Sequence, residues 1–372
     1  MVSIARKNLF HDRGRFAITV IGIAASLMLI FFGLGMAVGT VDTMVSIVDH
    51  ANADIWVVQE GNKEMLNPSV IRGNVTEDIH KITGVKGIYK LIYSQSKIEK
   101  GGTQLNGMIV GFNLNESTGL PWGLVSGDVS ALYRNNTIII DKSAQQELGE
   151  LSIGDHVEIG DIPQEIVGMT ENVKSFIYPM VFTTHKNAQK LCGLQSNETN
   201  FILLEIEPNH DKKHISDEVS KIGGIDAFST DEIRKNSIDW MFYKSGMGVG
   251  TLTFAAVGLF VAIIIISLTI YTATMERLPE FGTLKAIGAS KKDIYGILVE
   301  QVFWSVTIGY VAGLILSILG IIALTSVMLM PIKVTLDLAV IAYLLTLLLS
   351  VLGSITSIRK VNKIDPAIVF RA

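Results

Sequence analysis

A single cysteine, Cys192, stands in 372 residues. No disulfide can form within the chain, so any exported part must be held together by its own core. One cysteine also rules out thiolate-rich zinc sites, and the seven histidines are scattered without helical or turn spacing, so no metal site is expected. The net charge of −4 argues against a nucleic-acid partner. Charged residues make up 18% of the chain, below the roughly 25% usual for soluble domains. The deficit is concentrated: residues 16–41, 245–275, 301–332 and 338–358 contain no Asp, Glu, Lys, Arg or His. The first of these runs is too long for a cleavable signal and lacks an A-x-A site at its end. No G-x-x-x-x-G-K-[ST] phosphate loop is present either, so the chain is not expected to be an enzyme or to hydrolyse ATP itself.

What is present divides the chain into greasy and water-soluble parts. A membrane-spanning helix needs about 20 apolar residues, and all four uncharged runs qualify. Lys and Arg at their ends set the orientation. Arg6, Lys7, Arg13 and Arg15 precede the first run, Arg277, Lys285, Lys291 and Lys292 lie between the second and third, and Arg359, Lys360, Lys363 and Arg371 follow the fourth. The turn between the third and fourth carries only Lys333. Both termini and the 276–300 segment are therefore expected in the cytoplasm, with residues 42–244 outside, in a multi-pass protein of the plasma or inner membrane. Residues 1–15 are expected as a cytoplasmic amphipathic helix and residues 359–372 as a cytoplasmic tail.

Residues 42–244 have ordinary soluble composition. Strand-like runs at 54–58, 87–93, 106–112, 136–140, 156–159, 165–169 and 201–206 are bounded by Gly, Asn, Asp and Pro. Helical patterns fall at 76–82, 143–148, 187–191 and 214–222. The pattern predicts an α+β domain in two lobes. Asp141-Lys142-Ser143 resembles a Ser/Lys pair, but Ser143 reads better as a helix N-cap, and no catalytic residue is expected.

The segment between the second and third runs carries the strongest local signals. Pro279 suits a first helical turn, and Phe281, Leu284 and Gly288 follow at i, i+3 and i+7 with Ile287 beside them. Gly288 is a natural helix stop, and Ser290 with Asp293 forms a capping box that opens the next helix. A short surface helix, a break and a new helix are predicted. It either docks a protein or rests on lipid headgroups.

The stretch from Glu276 and Arg277 through Leu278, Pro279, Glu280, Phe281, Gly282, Thr283, Leu284, Lys285, Ala286, Ile287, Gly288 and Ala289 to Ser290 resembles the signature of the FtsX-like permeases of ABC transporters. This is the membrane-subunit class of the MacB, lipoprotein-releasing and FtsX systems. Ala5-Arg6-Lys7-Asn8-Leu9 and the one-plus-three order of runs resemble the same family, while Pro279 departs from its usual charged or polar residue. Residues 53–58 resemble the haem-exporting HrtB-like and heterocyst DevC-like branches. The resemblance implies a membrane α-helical fold of four transmembrane helices with a large α+β extracytoplasmic domain between the first two. It implies that Glu276 to Gly288 form a coupling helix for a separate ABC ATPase, two per complex, which carries the ATP and Mg. It also implies a second copy of the chain, with Gly22, Gly33, Gly35, Gly39, Gly246, Gly248, Gly250 and Gly258 expected at the seam. A membrane-fusion protein or other extracytoplasmic partner fits the same scheme. The implied function is mechanotransmission that exports an apolar or amphiphilic substrate: haem, lipid, peptide or drug. The alternative is a non-transporting transducer that activates a cell-wall hydrolase. Met36, Met44, His50, Trp240, Met241, Tyr243 and Met247 cluster at the outer ends of the first two runs. Met, Tyr and His can ligate haem iron, but the same residues also suit an interfacial aromatic belt with core methionines.

Overall fold

Uncharged runs fold as helices because a backbone without water must satisfy its own hydrogen bonds. The computed structural model describes residues 13–65, 67–73, 75–116, 118–276, 280, 282–284, 287–327 and 331–353. The helices are α1 (Arg13–Met44), α2 (Ser46–His50), α3 (Val75–Ile79), α4 (Gln145–Leu148), α5 (His185–Leu191), α6 (Lys212–Val219), α7 (Thr230–Asp239), α8 (Met247–Glu276), α9 (Lys291–Val327) and α10 (Leu336–Gly353). Among the described residues, Val20–Met44, Met247–Ile265 and Lys292–Leu324 are long and apolar enough to cross a membrane, whereas Leu336–Leu352 is apolar but shorter. Residues 1–12 and 354–372, which hold most of the expected N-terminal helix, the end of the expected fourth span and the C-terminal cations, lie outside the described residues.

The chain divides into two compact units. One takes its described residues from 1–39, 248–325 and 332–372. Its core joins Ile23, Leu27, Ile30 and Phe31 of α1 to Val302, Val306 and Tyr310 of α9 and to Leu338 and Ala342 of α10. Tyr310 Oη donates to Ala339 O at 2.5 Å, and Thr307 Oγ1 lies 3.0 Å from Tyr343 Oη, so α9 and α10 are also held by polar contacts. Small residues bring α1 and α8 together. A Cβ on Gly33 would sit 2.6 Å from Thr251 O and 2.7 Å from Ala255 N, and one on Gly258 would sit 2.8 Å from Ser26 O. Gly22 faces Ile265 in the same way. These three glycines, expected at a seam between copies, are occupied within one chain. Gly250 is not: a Cβ there meets nothing within 4 Å.

The other unit, built mainly from residues 40–247, carries eleven strands: β1 (Ile55–Gln59), β2 (Val85–Lys100), β3 (Thr103–Phe112), β4 (Leu124–Gly127), β5 (Thr137–Asp141), β6 (His156–Ile159), β7 (Ile162–Thr170), β8 (Lys174–Ser175), β9 (Tyr178–Thr184), β10 (Phe201–Ile206) and β11 (Ile225–Ser229). They form one sheet in the order β11-β1-β10-β2-β3-β9-β5-β7-β4, with β6 beside β2 and β7, and β8 beside β9. The pairs β3–β9 and β5–β7 are parallel and the rest antiparallel. Strand alternation puts successive residues on opposite faces. Trp56 and Val58 of β1, Phe201 and Leu203 of β10, and Val110 and Phe112 of β3 enter a core on one face, roofed by Ile47 of α2 and Ile233 of α7. The other face carries two separate cores. Ile55, Val57, Ile202 and Leu204 pack with Ile215 and Val219 of α6, while Ile92, Ile109, Ile138 and Val181 pack with Ala188 and Leu191 of α5. Both cores lie on one sheet within a single compact unit. Strand β2 joins them: its first half pairs with β10 up to Leu91, and from Ile92 onward it pairs with β3.

Two carboxylates, Asp141 fully buried and Asp54 half-buried, pin this unit. Asp141, fully buried, caps the turn after β5, accepting from Ser143 N at 3.0 Å and Ser143 Oγ at 2.5 Å. Its other oxygen accepts from Val173 N at 2.8 Å and Thr170 Oγ1 at 3.2 Å. Asp141, not Ser143, is thus the cap, because its two-oxygen head reaches forward to the turn and across to the next strand. Asp141→Ala should lower stability by about 2–5 kcal/mol, since Val173 N–H and Thr170 are left buried without an acceptor. The check is the denaturation midpoint of the purified chain.

Asp54 accepts from Ile206 N at 2.8 Å and pairs with Lys212 Nζ at 2.6 Å. Burial alone would raise its carboxyl, but the Lys212 hydrogen bond and charge and the Ile206 N–H outweigh it and hold the group below its ordinary value. A carboxylate with a depressed folded value stabilises the fold above its unfolded value and loses that contribution as pH falls through the folded one. The difference in melting temperature between wild type and Asp54→Asn should therefore be largest near neutral pH and shrink below about pH 4.

Candidate functional site

The segment after α8 folds as its local residues dictate. Glu280 and residues 282–284 are helical. The helix ends in a Schellman turn: Ile287 N donates to Thr283 O at 3.0 Å, and Ala289 N reaches back to Leu284 O at 2.9 Å. Gly288 sits between at φ +99°, in the left-handed region where a residue with a side chain is strained. Ser290 then starts α9. Its backbone N donates to Asp293 Oδ2 at 2.9 Å and its Oγ to the same oxygen at 2.6 Å, while Asp293 N donates to Ser290 Oγ at 3.3 Å. This is the reciprocal capping box read from the sequence.

The exposed surface of this element is partly apolar. Ile287 is 75% exposed and Leu284 half-buried, while Gly282 is buried and Glu280 and Thr283 face outward. Arg277, Phe281, Lys285 and Ala286 lie outside the described residues, as does Pro279, and the side chain of Glu276 is likewise undescribed. The capped turn thus presents an exposed isoleucine to solvent among the described residues.

The methionine and aromatic group does not stand as one constellation. Met44 and Met241 are each 1% exposed and pack with Val45, with Val41, Ile238, Phe242 and Met247 against them. Their thioethers are core. Trp240 is half-buried and Tyr243 is 84% exposed. Met36, half-buried, belongs to the helical unit, whereas the other six belong to the sheet unit. The segment Trp240–Lys244 is a wide turn in which Ser245 N reaches Trp240 O at 2.9 Å, and Gly246 at φ +78° ends it before α8. His50 stacks on Trp122 with ring centroids 4.4 Å apart and planes 6° from parallel. That partner, 72 positions downstream, has no signal in the local sequence. Among the described residues, no group of three or more His, Cys, Asp or Glu could hold a metal.

Residues 252–366 match the family model for the FtsX-like permease C-terminal region, and residues 16–222 match that for the MacB-like periplasmic core domain. The chain is 22% identical to a Staphylococcus epidermidis protein that carries the name hemin transport system permease protein HrtB, covering 98% of each chain. It is 24% identical to an uncharacterized ABC transporter permease of Mycobacterium tuberculosis over 100% of this chain and 99% of that one. Among solved structures, the periplasmic region of MacB from Actinobacillus actinomycetemcomitans covers 50% of this chain and 94% of its own, at 11% identity and a TM-score of 0.37.

Proposed function

We propose that this chain, which belongs to the MacB/FtsX family of ABC transporter permeases, couples a separate ATPase to the export or extrusion of an apolar or amphiphilic substrate. The observation that carries the reading is the capped helix–turn–helix ending in Ile287 and Gly288, set between two long apolar helices. In this reading Glu276 to Gly288 are the coupling helix, in the cytosol with both termini. Two copies of the chain pair with two ATPase subunits. α10 and the residues after it complete a fourth span. ATP-driven closure of the ATPases pushes on the turn, and α8, continuous in sequence with it, carries the displacement toward the sheet unit.

The relatives whose names include hemin support haem as the substrate in this reading. Tyr243, exposed near the start of α8, lies outside the Met44–Met241 core, as do Trp240, His50 and Met36. The test is ATPase stimulation of the purified complex by haem, against lipid and apolar peptide, with haem absorbance followed in parallel. Saturable stimulation with haem absorbance reduced by Tyr243→Phe supports haem. Stimulation by lipid or peptide alone moves the substrate to that class.

A further inference from the structure

A second candidate site lies in the sheet unit and does not depend on the coupling reading. A polar cavity of about 310 Å³ opens over the first half of β2. Its floor is Ile88 and Lys90, its walls His80 at the end of α3, Asn113 and Glu116 after β3, and His185 at the start of α5. The volume is at the small end of the range for ligand pockets.

Its electrostatics are unusual for a surface hollow. Lys86, four residues before Lys90, is bonded to Glu205, whereas Lys90 has no ion pair among the described residues. Its charge and the burial of the ring push His185 down to about 4, with burial the larger cause, so that imidazole is neutral at physiological pH. The Nε2 of His185 is buried without a hydrogen-bond partner. On the other wall, Glu116 is half-buried and accepts from Asn113 Nδ2 at 2.7 Å. Burial raises its carboxyl, with the Asn113 bond opposing. The ammonium of Lys90 and the carboxylate of Glu116 line one cavity yet do not pair with each other. Each is a half-buried charge with no ion pair among the described residues, and an anion or a cation alone would satisfy only one of them.

We propose that this cavity binds a small zwitterion, a free amino acid or short peptide, with its carboxylate on Lys90 and its ammonium on Glu116. Ile88 lies under the body of the ligand, and Asn113 keeps the Glu116 carboxylate oriented. Nothing covalent takes place; the site is a receptor pocket on the sheet unit.

The test titrates the full chain in nanodiscs with L-alanine and with L-alanyl-L-alanine by calorimetry, together with N-acetyl and C-amide forms of the dipeptide. Saturable binding of one or both zwitterions is expected, and the stronger of the two tells amino acid from peptide. Lys90→Gln and Glu116→Gln should each weaken binding about tenfold or more. The blocked dipeptides should bind the unaltered chain equally weakly, an arm that needs no variant to fold. N-acetyl dipeptide should bind Glu116→Gln as it binds wild type, because the partner group is already gone. Absence of saturable zwitterion binding, or blocked forms binding as well as free ones, overturns the proposal.

Discussion

Ile287→Lys should weaken association with the ATPase subunit by roughly a hundredfold or more, about 3 kcal/mol, while leaving the permease folded. A lysine near the end of a helix is favoured by the helix dipole and by the free carbonyls there, so the local turn should not suffer. Gly288 still supplies the left-handed turn and Ser290–Asp293 still caps α9. What changes is the 75% exposed apolar surface at 287, which in the coupling reading enters a groove on the ATPase. An ammonium left unpaired in that groove costs several kcal/mol. An ammonium on an unused surface costs within about 0.5 kcal/mol. The two possibilities are therefore well separated, and pull-down of the ATPase by tagged permease, with melting temperature as the folding control, reads the difference. The lipid-anchor alternative gives no loss, because a lysine at the headgroup level is well tolerated.

The second large effect is in the helical unit. Gly33→Leu should destabilise the protein by about 3 kcal/mol or more, whereas Gly250→Leu should be neutral within about 0.5 kcal/mol or slightly stabilising. The contrast rests on what each new side chain meets. At Gly33 it meets backbone atoms of α8 at 2.6 and 2.7 Å, which cannot rotate away, so the two helices must separate along their seam. At Gly250 it meets open space, and leucine is the better helix former. Thermal unfolding of the two variants in the same detergent checks the pair. The Gly250 variant carries a further reading: normal stability with loss of the two-copy assembly would put that position at the seam between copies.

The local features were legible in the sequence and the long-range ones were not. Gly288, Ser290 and Asp293 act within a few residues, so the helix stop and capping box could be read directly, down to the reciprocal bonds. Strands β6 and β10 have the bounds expected of them, because polar residues and turns frame them. Strand β2 was legible only in its first half, since its second half alternates charged and polar residues whose burial depends on β3 and β6. Strand β9 was missed because it is buried on both faces and shows no alternation. Asp141 was passed over for Ser143 because its partners Thr170 and Val173 are about thirty positions away. The glycines of α1 and α8 announced close packing, but a small residue does not say which helix will approach it. The methionines were ambiguous for the same reason: Met44 and Met241 are core only because the chain brings them together across nearly two hundred residues.

The claim at the centre of this account is that the turn at Ile287 is where the ATPase docks. Ile287→Cys can be labelled selectively with a thiol-directed photocrosslinker, because Cys192 is half-buried and its thiol is pushed up to about 11, chiefly by burial. Val249, 67% exposed near the start of α8, serves as the control site through Val249→Cys. In membranes containing the assembled complex, the account predicts a permease–ATPase adduct from position 287 and none from position 249. No adduct from 287, or equal yield from the two sites, would contradict it.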